Sequence, residues 1–111
     1  MQNLNEDKLS KIVIDFSQYN RLDEFIQLRM FGFWVKKILE MMFGGARIPV
    51  EVKGSKSEVK AFARALGREK RYMDSIKKFG LDNPKTYKDK LKLNKAIKDF
   101  TRKTKLKWPF K

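Results

Sequence analysis

Apolar residues change their spacing several times along this chain, and each change marks an element. Ile12, Ile14 and Phe16 alternate as in a strand, while Leu9, Ile12, Val13 and Phe16 also fit a helix. The β-branched run Ile12-Val13-Ile14 tips this segment towards extended structure. Beyond it, Leu28, Phe31, Val35, Ile38 and Met42 recur at helical spacing, within a helix expected over about residues 21–43. Asn20 can cap that helix, Asp23 and Glu24 suit its positive end, and Gly44-Gly45 stops it. Phe33 and Trp34 lie off the stripe, so the apolar surface is wider than one small core can cover.

From Ile48 to Lys53 the pattern alternates again, and Pro49 restricts this short strand to an edge or a strand start. Gly54 turns the chain into Ser55-Lys56-Ser57-Glu58, a capping box in which each end satisfies an amide of the other. A helix follows over about residues 56–79, with Val59, Phe62, Ala63, Leu66, Met73 and Ile76 inward. Gly67 weakens its middle, and Gly80-Leu81 reads as a left-handed cap with a hydrophobic contact. Asn83-Pro84 opens a last helix running to about Lys103. Its apolar sets, Tyr87 with Leu91 and Leu93 with Ile97 and Phe100, are half a turn out of phase, which allows a kink near Lys92. The chain closes on a tail, residues 104–111, carrying Trp108-Pro109-Phe110. The expected fold is mainly α, with a small α+β arrangement possible: about three helices and one or two short strands in a single domain.

Charge divides the chain in two. Residues 1–52 hold seven basic and seven acidic side chains, while residues 53–83 hold nine and four, and residues 84–111 eleven and two. All of the formal net charge of +14 therefore lies beyond residue 52. An excess of this size repels itself unless a polyanion neutralises it, although part of it could serve solubility alone. Lys60, Arg64, Arg68 and Arg71 follow one face of the first basic helix. Lys85, Lys88, Lys92, Lys95 and Arg102 follow one face of the second, interrupted by Asp99. Such rows can track phosphates or an acidic helix; they can also be ordinary solvated faces. Lysine predominates over arginine, which favours sequence-independent contact over the reading of base edges. Tyr72, Tyr87 and Trp108 sit among the cations, where aromatic rings either stack on bases or close the core.

Other chemistry is narrowed by what is missing from the composition. With neither cysteine nor histidine, the chain has no disulfide, thiolate or imidazole ligands, and no Ser-His-Asp or Cys-His nucleophile. The acids are scattered and flanked by lysines, and no phosphate-binding glycine loop occurs, so neither catalysis nor a cofactor is expected. Met1 to Asp7 lack the pattern of a signal peptide, and the uncharged apolar run Met30 to Val35 is far too short to span a bilayer. In the 21–43 helix, acids offset the basic residues, which makes a membrane-surface role unlike it; a protein partner or self-association fits better. Candidate contact residues are Phe31, Phe33, Trp34 and Met42, with Trp108 and Phe110 in the tail.

The run Val52 to Leu66, then Glu69 to Tyr72, Gly80 to Lys88 and the ending Leu106-Lys107-Trp108-Pro109-Phe110-Lys111 resemble small virion-gene products of T-even-like tailed bacteriophages. The resemblance covers roughly residues 48–111 and is most specific at the W-P-F-K ending. It implies a minor prohead core protein, located in the host cytoplasm or virion interior, with no catalytic residues. Phage scaffolds are typically rich in acidic helical protein, which a basic component would bind by charge complementarity. Nucleic acid remains the alternative partner.

Overall fold

The computed structural model describes residues 11–44 and 47–110; Met1 to Asp7, Leu9, Gly45 and Lys111 lie outside them. The first element is extended: strand β1 (Ile12–Asp15) buries Ile12 and Ile14 and turns Val13 outward. Asp15 ends the strand and caps a short helix, α1 (Phe16–Tyr19), by accepting the Ser17 amide at 3.0 Å. Asn20 closes α1 instead of opening the next helix. That cap is Asp23, which accepts the Ile26 amide at 3.1 Å and trims the expected 21–43 helix to α2 (Glu24–Met42). Gln27 explains the shift, because its amide donates to the Tyr19 and Leu22 carbonyls and pins the chain between the two helices.

Strand β2 (Val50–Lys53) pairs in parallel with β1, Ile12 opposite Val50 and Asp15 opposite Lys53. Helix α2 thus belongs to a crossover between parallel strands. Helix α3 (Lys56–Phe79) begins at the expected capping box: Ser55 accepts the Glu58 amide at 3.2 Å, and Glu58 accepts the Ser55 amide at 2.8 Å. Gly80 ends it at φ +85°, a conformation that favours glycine, but Leu81 is 67% exposed and makes no hydrophobic cap. The Thr86 hydroxyl, which can donate to the Gly80 or the Ser75 carbonyl, secures this turn. Helix α4 (Pro84–Thr104) runs unbroken. The phase mismatch needs no kink, because Leu93, Ile97 and Phe100 face inward while Tyr87 and Leu91 are left in solvent. On α3, Ala63 also faces out; Ala61 and Ala65 take the inner positions.

The described residues are 69% helical, and the fold is mainly α and a single domain; the fourth helix among the described residues is the one-turn α1. Its core is built on aromatic rings from every helix. Phe16 (α1), Phe31 (α2), Phe62 (α3) and Phe100 (α4) meet Trp108 of the tail, with neighbouring ring centroids 5.2 to 6.4 Å apart. Full burial of each such side chain contributes about 1.5–3 kcal/mol, and favourable ring pairs add about 0.5–1.5 kcal/mol each.

The tail reaches this core through a reversal at Lys105, whose φ is +66°. Buried Thr104 supports the turn, donating to the Phe100 carbonyl and accepting the Leu106 amide. Leu106 and Trp108 then bury against the rings. Pro109 passes close over Gly32 of α2, where an added Cβ would lie 3.3 Å from the Pro109 Cβ.

Candidate polyanion groove

Helices α3 and α4 form an antiparallel hairpin, in which the Ser75 hydroxyl donates to the Asp89 carboxylate across the pair. One side of the hairpin is grooved. A stretch of about 600 Å³ is lined by Gly67, Arg71, Ser75, Lys78, Lys85 and Lys88, among others. A second, of about 530 Å³, is lined by Arg64, Arg68, Lys92, Lys95, Ala96 and Asp99. Steps of three and four place the α3 residues of both stretches on one helical stripe, and the α4 residues likewise. The two stretches are therefore successive parts of one groove, about 21 Å long from Arg64 to Lys78 at 1.5 Å per residue. Lys60 and Arg102 lie one turn further along the same stripes, at the same end of the hairpin.

The structure thus brings the two expected rows together as opposite banks of one feature. All nine residues expected to bind a polyanion are exposed except Arg68, which is half-buried. Each of the three acids on these stripes already has a partner. Asp74 pairs with Lys70 at 2.8 Å, Asp89 accepts from Ser75, and Asp99 pairs with Arg102 at 2.5 Å and with Lys103 at 3.4 Å. Burial pushes the Asp99 carboxyl up, but these two cations outweigh it and hold the group below the ordinary carboxylate range. Arg102 is therefore engaged within the chain. The other eight cations form no ion pair among the described residues.

Lys78 joins them on the α3 bank. Its ammonium lies 5.9 Å from the centre of the Phe79 ring, and that of Lys85, on the opposite bank, lies 4.9 Å from it. One ring thus holds a cation from each helix at the hairpin end of the groove. Helical phase alone could have found Lys78, which continues the Arg64, Arg68, Arg71 stripe.

Two residues expected at a protein interface belong to the core. Phe31 is 1% exposed and Trp108 4%, because both are needed to complete the ring cluster. The indole N–H of Trp108 donates to Glu69 Oε1 at 2.8 Å inside the protein. Burial pushes the Glu69 carboxyl up, and the hydrogen bond from Trp108 offsets part of that. Trp34 is half-buried against the core, whereas Phe33, Met42 and Phe110 are exposed. Of the two tyrosines set among the cations, Tyr72 packs on the core and Tyr87 is exposed but does not line the groove.

Among the described residues no group of three or more acidic side chains is placed to hold a metal ion, and no helix is long and apolar enough to cross a membrane. No protein-family model, curated protein or solved structure matches the chain.

Proposed function

We propose that this chain is a non-enzymatic binding protein whose α3–α4 groove holds an acidic protein partner, in the manner of a basic minor component on the acidic core of a phage head under assembly. The observation that carries the reading is the groove itself, where cations without acidic partners line both banks. Packed helices lie about 8–10 Å apart. A cleft between two of them suits short carboxylate side chains better than a whole nucleic-acid duplex. Its floor supports the same reading. Gly67, Ser75 and Ala96 are small, so a partner chain can approach closely, and the one ring at the groove, Phe79, already has lysines against it. Bases would find little to stack on.

Sequence-independent nucleic-acid binding is the second reading, favoured by the predominance of lysine and the length of the cationic run. Binding of poly-L-glutamate and of a random-sequence DNA duplex, each at low and moderate salt, separates the two. The first reading expects salt-sensitive binding to the polypeptide that exceeds binding to DNA. Tighter binding to the duplex, falling by orders of magnitude towards about 200 mM salt, would move the assignment to nucleic acid.

A further inference from the structure

Helix α2 presents a second surface that the core does not use. Its inner face is Phe31, Val35, Ile38 and Leu39. On the opposite side lie Ile26, Met30 and Phe33, 40%, 46% and 54% exposed, together with Arg29, Lys36, Lys37 and Glu40. We propose that this face pairs with the same face of a second copy of the chain, the two α2 helices running antiparallel about a two-fold axis between residues 34 and 35.

Charge argues first for a copy of this chain. The half of the sequence that contains α2 is neutral, while the +14 excess lies beyond it. The register follows from the charges on the face itself. Arg29 and Glu40 are eleven residues apart, about three turns, and so share the outward stripe. Neither forms an ion pair among the described residues; Arg29 rests only on the Phe25 ring, at 5.7 Å.

An antiparallel pairing about that axis sets each Arg29 opposite the other copy's Glu40, twice over. The same register lays Lys36 against the other copy's Phe33 ring, a cation–π arrangement. It also leaves the two Phe33 side chains about 4.5 Å apart along the axis, on either side of the two-fold. A parallel pairing in register would instead stack Arg29 on Arg29. An isologous contact of this kind is the commonest way for a chain to self-associate. A single helix face lies at the low end of stable interface sizes, so the dimer should dissociate on dilution. The inference stands apart from the polyanion reading, because its residues are not those of the groove.

Sedimentation of the full chain from low to high micromolar concentration tests it, with circular dichroism confirming that each variant is folded. The expected result is a concentration-dependent rise to the mass of two chains. Arg29→Glu and Glu40→Arg should each weaken the dimer about tenfold or more, and the double reversal should restore it. Phe33→Ala should weaken it as well. A monomer at every concentration overturns the proposal. So does a dimer that either single reversal leaves unchanged, or that the double reversal fails to restore.

Discussion

Glu69 is a buried carboxylate, with the Trp108 indole as its one hydrogen-bond donor among the described residues. Its raised pKa means that the folded protein keeps this proton to higher pH than the unfolded chain. The stabilising contribution of the protonated form is thus fully present below the ordinary glutamate value of 4.5 and is lost as pH rises through the raised one. Glu69→Gln keeps an acceptor for Trp108 and cannot ionise. Denaturant unfolding should show its advantage over the parent smallest in acid and widening towards neutral pH. Glu69→Ala should instead cost about 1–3 kcal/mol, because the buried indole N–H loses its partner. Trp108→Ala should cost about 3–5 kcal/mol, a large part of the stability of a domain this size. The basic neighbours Arg68 and Lys70 point to a surface Glu69, and its burial corrects that reading. Glu69 lies on the inner stripe between Leu66 and Met73, so helical phase alone buries it. What the sequence withheld was its partner, thirty-nine residues away across a reversal that depends on Lys105 adopting positive φ.

At the scale of elements, local chemistry located what it could reach. The Ser55–Glu58 capping box and the Asn83-Pro84 start stand where they were expected, because each is decided within four residues. Asp23 displaced Asn20 because Gln27 fixes the preceding turn, a contact that spacing does not reveal. The parallel pairing of β1 and β2 was also beyond reach, since nothing local sets the direction of strands separated by a helix. Gly67 offers a test at this scale. It sits mid-helix in α3, and a Cβ there would meet nothing within 4 Å. Gly67→Ala should therefore raise stability by about 1 kcal/mol in denaturant unfolding, through helix propensity alone. It also places a methyl group on the groove floor. If a partner's backbone approaches closely there, the same substitution should weaken binding while stabilising the protein.

Across the whole molecule, the sequence showed that the chain was polarised but not that its cationic rows would share one cleft. That required α3 and α4 to pack antiparallel with both stripes turned to the same side, a relation carried by contacts such as Ser75 with Asp89. Charge reversal tests its unity. Arg64→Glu with Lys92→Glu changes exposed residues on opposite banks, so thermal unfolding should move little while polyanion binding falls by more than tenfold. The same reversal at Arg21 and Arg47, exposed residues outside the groove and the outer face of α2, should leave polyanion binding nearly unchanged. Equal losses from both pairs would mean that net charge, and not the groove, governs the interaction.

The tail that brings Trp108 against Phe31 also sets a timetable for synthesis. These two rings are 77 residues apart in the chain. At about 5–20 residues per second, the ribosome takes roughly 4–15 s to deliver the second after the first. Throughout that interval α2 has been made but its inner apolar face lacks the cover that Phe100 and Trp108 give Phe31. Newly made copies crowded on one message would meet through these faces before any could finish its core. A chaperone that shields amphipathic helices should therefore raise the yield of this protein more than its small size suggests.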